Sequence, residues 1–152
     1  MATTSAQRRP TRRVRPDHRR PVTIGFAVPV NARQVAVVRR VVAFALAGHP
    51  RLDDVTLAVS ELVTNAFMHG STNENAIVRV RITRLPFGGV HICVTDHGRI
   101  DGAQTPVGRP GLDQDAGLGS VIVEQLAWRW CRHRTRLGGR RVHAIFTRRS
   151  SL

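Results

Sequence analysis

Ser60-Glu61-Leu62-Val63-Thr64-Asn65-Ala66-Phe67-Met68-His69-Gly70 is the stretch on which the reading of this chain turns. Glu61, Asn65 and His69 recur every four residues, so at about 100° per residue they stay within about 80° of one another on one helical face. Leu57, Ala58, Leu62, Val63 and Ala66 lie between or beside them, which makes the segment apolar nearly all round. Such a helix is expected to be buried, and a buried carboxylate or amide needs a partner. Two readings follow. The polar strip meets a metal and a ligand, or it is the solvated edge of a core helix.

The 152 residues suffice for one domain with a sizeable core. Hydrophobic content of 41% and charged content of 22% describe an ordinary globular composition. No apolar run approaches the ~18 residues of a membrane span, and the basic N-terminus lacks the apolar segment of a secretory leader. A cytoplasmic protein with no membrane partner is expected. In a reducing compartment Cys93 and Cys131, both in strand-like stretches, read as small buried apolar residues rather than a disulfide. The net charge is +14, and all 24 basic residues are arginine. The absence of lysine excludes a phosphate loop built on Gly-Lys-Ser/Thr and any Schiff-base lysine. The charge favours anionic partners without choosing among nucleic acid, nucleotide and acidic protein.

Residues 1–20 hold seven arginines against Asp17 and read as a disordered basic tail. A domain is expected over 21–148, followed by a short tail at 149–152. Val22 to Val28 reads as a strand, and Asn31 as the cap of a helix through Val35, Val38, Val42 and Leu46 that ends at Gly48-His49-Pro50. A second helix starts near Leu52-Asp53 and runs to Gly70. Ala76 to Leu85 and Val90 to Thr95 alternate in polarity around Gly88-Gly89 and read as an antiparallel hairpin. After Asp96-His97-Gly98 comes a stretch of about 20 residues with little periodicity, a length typical of functional lids or disordered segments. It ends at Gly117-Leu118-Gly119, which opens a helix through Val121, Ile122 and Leu126. Trp128 to Leu137 and Val142 to Thr147 form a last hairpin around Gly138-Gly139.

Three features suit a nucleotide. An oxygen of Asn65 can help hold Mg²⁺, which neutralises triphosphate charge. Asp96 can accept hydrogen bonds from an exocyclic amine such as that of adenine, and Gly98 lets the backbone approach the ring. Gly117-Leu118-Gly119 can offer N–H groups and a helix dipole to phosphates. Glu61, one turn before Asn65, can orient or deprotonate an attacking hydroxyl.

At this point the sequence resembles the GHKL ATPases, the superfamily of gyrase, the heat-shock chaperone and the histidine kinases. Glu61-Leu62-Val63-Thr64-Asn65-Ala66 with His69-Gly70 is similar to its N box, Val94-Thr95-Asp96-His97-Gly98 to its G1 box, and Gly117-Leu118-Gly119 to its G2 box. In order and size, residues 21 to 148 resemble the short anti-sigma-factor serine kinases. The resemblance implies a two-layer α/β (α+β) sandwich of the Bergerat type, with helices on one face of a mixed, mostly antiparallel sheet. It implies ATP and Mg²⁺ as cofactors, and a sigma factor and an anti-sigma-factor antagonist as partners, the antagonist phosphorylated on serine or threonine. Homodimers would be in keeping with it. By position Glu61 would be the general base, Asn65 the Mg²⁺ ligand and Asp96 the adenine contact, with Gly98, Gly117, Leu118 and Gly119 lining the nucleotide. The sequence departs from the family pattern in three places. Ile100 stands where a second G1 glycine is usual, Ser120 follows Gly119 in place of leucine, and Arg140-Arg141 follow Gly138-Gly139 where a supporting threonine is often found. Lid arginines Arg99 and Arg109 are candidates to reach phosphates.

Two other function classes stay open. One is a non-catalytic ATP-binding or partner-binding module on the same fold. The other is an arginine-rich nucleic-acid binder, acting through residues 1–20. With five Phe, two Trp and no Tyr, stacking on single strands has little to work with.

Overall fold

The computed structural model describes residues 20–69, 75–96, 118–136 and 138–149, with the backbone alone of His69 and of residues 118–120. Five strands and three α-helices follow in the order β1 (Val22–Pro29), α1 (Gln34–Ala45), α2 (Leu52–His69), β2 (Ile77–Arg84), β3 (Val90–Thr95), α3 (Leu118–Leu126), β4 (Arg129–Arg134) and β5 (Arg140–Phe146). The strands form one sheet in the order β1-β2-β3-β5-β4. Every pairing among them is antiparallel, so the sheet is not mixed over the described residues. No helix among these residues is long and apolar enough to cross a membrane.

The alternation seen in the sequence becomes two unlike sheet faces. Val78, Val80 and Ile82 of β2, Val90, Ile92 and Val94 of β3, and Ala144 and Phe146 of β5 are buried on one face. The helices cover that face: α1 packs on β1 and α2, and α2 on β2, β3, β5 and α3. On α2 the buried set Val55, Ala58, Val59, Leu62, Val63 and Ala66 recurs at helical spacing and forms one stripe. Val38, Val42, Ala45 and Leu46 do the same from the α1 segment. Burying each of these side chains contributes about 1.5–3 kcal/mol for the valine- to phenylalanine-sized members, which is what holds the helical layer down.

Several expectations need adjusting. Helix α2 is not buried all round. Leu57 and Met68 are 42% and 73% exposed, because a single layer of helices leaves the outer side of α2 facing water. Asn31 does receive a backbone N–H, from Arg33 to its Oδ1 at 2.9 Å, but this closes a turn just ahead of α1, whose own cap position is Arg33. Cys131 is exposed, contrary to the reading of two buried cysteines, because β4 is an edge strand and Cys131 points away from the helices. Cys93 is buried, and both cysteines are free, since each lies beside His143 with β5 between them.

Candidate functional site

At the end of β3 the pairing with β5 runs one residue beyond the strand. The Asp96 N–H donates to the Arg140 carbonyl at 2.9 Å, and Asp96 Oδ1 accepts the Arg140 N–H at 2.8 Å. Counting by twos from Val90, Ile92 and Val94 puts Asp96 on the helix-covered side, and it is only 6% exposed. A carboxylate at this depth needs its lone pairs met. Main-chain pairing meets one and fixes the direction of the side chain.

Glu61 and Asn65 sit one turn apart on α2, both half-buried, at the margin of the core stripe. Their side chains make no hydrogen bond or ion pair with another described side chain. The helix that carries them packs against β3 and α3, so the three elements bearing the sequence-predicted residues are neighbours in space. Leu118 and Gly119 are the first residues of α3, as the Gly-x-Gly reading required. Gly70, Gly98, Ile100, Arg99, Arg109, Gly117 and the tail over 1–19 lie outside the described residues, as does the side chain of His69.

Among the described residues no three His, Cys, Asp or Glu side chains gather to hold a metal ion. A magnesium ion carried on phosphates needs only one or two protein oxygens. The Asn65 amide and the Glu61 carboxylate are hard donors of that kind, so the residues fit nucleotide-borne Mg²⁺ rather than a protein cage.

The sequence reading missed what supports Asp96. It sought a threonine side chain on the last strand, whereas the support is the backbone of Arg140. The signal was the turn just before it. Thr135 N–H donates to the Gly139 carbonyl at 2.8 Å, Gly139 N–H donates to Thr135 Oγ1 at 3.0 Å, and Gly138 takes φ of 79°. This turn fixes the β4–β5 register, and β5 then pairs Arg141 with Thr95.

A family profile described as histidine kinase-like ATPase domain matches residues 28–146. The chain belongs to this family. Its helix-backed antiparallel sheet is therefore that of an ATPase domain, a kind of domain that binds ATP. The anti-sigma F factor of Geobacillus thermodenitrificans is 37% identical over 94 residues, covering 55% of this chain and 63% of the relative. That of Heyndrickxia coagulans is 38% identical over 95 residues, covering 56% of this chain and 64% of the relative. The match thus spans less than two thirds of the length of these relatives. The crystal structure of the RsbU and RsbW domains of Rv1364c from Mycobacterium tuberculosis superposes with a TM-score of 0.61 at 19% identity, over 83% of this chain and 32% of that one. At that identity the likeness is one of fold.

Proposed function

We propose that this chain is an ATP- and Mg²⁺-dependent anti-sigma factor that phosphorylates a serine or threonine on a small antagonist protein and holds a sigma factor through a separate surface. The observation that carries the reading is the buried Asp96, oriented by Arg140, beside a helix that presents Glu61 and Asn65 one turn apart. The names of the anti-sigma F factor relatives support the regulatory role.

In this reading Asp96 accepts from the adenine amine, and its fixed rotamer makes the contact selective for a donor at that position. Asn65 gives an oxygen to the magnesium ion, and Gly98, Gly117, Leu118 and Gly119 line the nucleotide. Mg²⁺-ATP, when bound, supplies the γ-phosphoryl group and neutralises its charge. Glu61 takes the proton of the antagonist hydroxyl as its oxygen bonds to the γ-phosphorus and the bond to the β–γ bridging oxygen breaks, so that ADP leaves.

Calorimetric titration of the full chain with Mg²⁺-ATP tests the site. Asn65→Ala and Asp96→Asn should each weaken binding by about tenfold or more, the scale of one lost charge-assisted contact. Wild-type affinity in both variants would refute the assignment. Glu61→Ala should bind ATP with little change and transfer no phosphate to the antagonist, and transfer at the wild-type rate would remove Glu61 from the chemistry.

A further inference from the structure

The sheet face turned away from the helices carries a second concentration of chemistry that the nucleotide site does not use. Its rows follow from the register: Ala27, Arg79, Thr95 and Arg141 lie side by side across four strands, and Gly25, Arg81, Cys93, His143 and Cys131 across all five. Adjacent strands are about 4.8 Å apart and alternate residues about 6.7 Å, so Arg79, Arg81 and Arg141 surround one patch little more than 10 Å across. A cavity of about 490 Å³ lies there, lined by these three arginines with Thr95, Thr135 and His143. It opens because β1 contributes Gly25 and Ala27, and a Cβ at Gly25 would have nothing within 4 Å. Asp96, just past the end of β3 with its side chain turned to the helix side, borders the cavity at one end, and its Oδ1 is committed to Arg140.

Behind the arginines stands a ladder of histidines. His91 and His143 stack at 5.2 Å with Nε2 to Nδ1 at 3.0 Å, and His133 stacks on His143 at 5.1 Å. The groups facing His143 are Arg81 from β2, His91 and Cys93 from β3, Arg141 from its own strand, and Cys131 and His133 from β4. Burial first, then Arg81, lowers the pKa of His91. Burial first, then His91, His133, Arg141 and Arg81, lowers that of His143.

We propose that this open face is a binding site for a small molecule bearing two or more phosphate groups, held by Arg81 and Arg141 with Arg79 beside them. Guanidinium groups pair with phosphate oxygens in a two-pronged geometry that a carboxylate cluster or a neutral ligand does not match as well. The cavity has the size of a small-ligand pocket and is too small for a folded protein element. A second copy of the same face would set arginine against arginine, and the scarcity of aromatic side chains gives single-stranded bases nothing to stack on. An anion seated among the arginines offsets the positive charge that, after burial, lowers the pKa of these rings, so binding carries proton uptake by the His91–His143 pair with it.

Inorganic pyrophosphate is the probe, titrated into the full chain near pH 6.5 by calorimetry, with the histidine ring protons followed by NMR. Arg81→Ala with Arg141→Ala should weaken binding at least about tenfold, since hydrogen bonds to charged groups contribute on that scale. These side chains are exposed, so the fold should be kept. Removing two arginines elsewhere, Arg40→Ala with Arg136→Ala, should leave binding unchanged, as should Glu61→Ala with Asn65→Ala at the nucleotide site. Pyrophosphate should move the titration of His91 and His143 to higher pH. Equal loss in the Arg40/Arg136 variant would show a diffuse effect of net charge and overturn the proposal. Loss confined to the Glu61/Asn65 variant would place the anion at the nucleotide site and overturn it too. Unmoved histidines at saturation, or binding of oligonucleotide with none of pyrophosphate, would do the same.

Discussion

Replacing Arg51 with methionine should be the most damaging single change outside the apolar core. Arg51 stands just before α2 and is 3% exposed. Its Nε donates to Asp54 Oδ2 at 2.5 Å, Nη1 to the carbonyls of Thr147 at 3.2 Å and Arg149 at 2.8 Å, and Nη2 to the carbonyl of Leu126 at 2.7 Å. The guanidinium carbon also lies 5.7 Å from the centre of the Phe146 ring. One side chain thus ties the start of α2 to the end of α3 and to the segment after β5. Methionine keeps most of the stem volume and removes every donor. Asp54 is a third exposed and recovers water, so the ion pair itself contributes little, within about 1 kcal/mol. The larger part comes from three carbonyls that lose a charged donor, and breaking one side of a buried charged network costs about 3–5 kcal/mol. For a domain of this size that corresponds to a drop of about 10 °C in melting temperature. Chemical denaturation of Arg51→Met beside Asp54→Asn measures both parts. If Arg51→Met costs no more than Asp54→Asn, the carbonyl clamp has no energetic weight and the reasoning fails. Lysine should recover only part of the loss, because a single ammonium cannot span the fork of acceptors.

Phe87, at the tip of the β2–β3 hairpin, takes φ of 62° and is 91% exposed. Phe87→Gly should stabilise the protein by about 1 kcal/mol in thermal unfolding, since a left-handed residue with a side chain is strained by about that much and little contact is lost. Gly88→Ala should do the reverse, because φ there is 82° and an added Cβ would lie 2.9 Å from Arg148 Cδ. Iodoacetamide should label Cys131 in the native protein and Cys93 only after unfolding, as read by mass spectrometry; equal labelling of both would contradict the strand positions. Acid should destabilise the fold through the histidine ladder. His91 and His143 have native pKa values below 6.5, so the unfolded chain binds more protons as pH falls past that value, and stability should decline there before levelling off below the native values. Arg81→Ala should shift that decline to lower stability loss, and an unchanged profile would mean the arginine does not act on the rings.

Much of this was open to reading because two periods coincide with two kinds of element. The stripe from Val55 to Ala66 could only be a helix, and the alternation of Val78, Val80 and Ile82 with Arg79 and Arg81 could only be a strand with one wet face. The spacing of Glu61 and Asn65 survived for the same reason. What the pattern could not convey was exposure on the far side of α2, where Leu57 and Met68 are as apolar as the residues beneath them. Hydrophobic content tells which side chains can be buried, while the number of layers decides which are. Cys131 was misjudged likewise: its neighbours suit a strand, but only the strand order makes that strand an edge. Arg51 carried no sequence signal at all, because its acceptors are backbone carbonyls 75 to 98 positions away.

Those long-range features converge on β5. Its first residue, Arg140, orients Asp96 by backbone pairing; its middle residue, His143, lies in the histidine ladder between Arg81 and His133; and the carbonyl of Thr147 just past its end helps hold Arg51, which grips the end of α3. The three roles depend on one register, because a slip by one residue would exchange the two faces of the strand. It would send His143 toward the helices, offer Asp96 a different backbone group and draw the Arg51 acceptors out of reach. The hydroxyl and backbone contacts between Thr135 and Gly139 hold that register at the hairpin. Loss of the Thr135 hydroxyl should therefore be felt at the aspartate as well as in the turn, with Thr135→Val weakening ATP binding through the displaced Arg140 backbone.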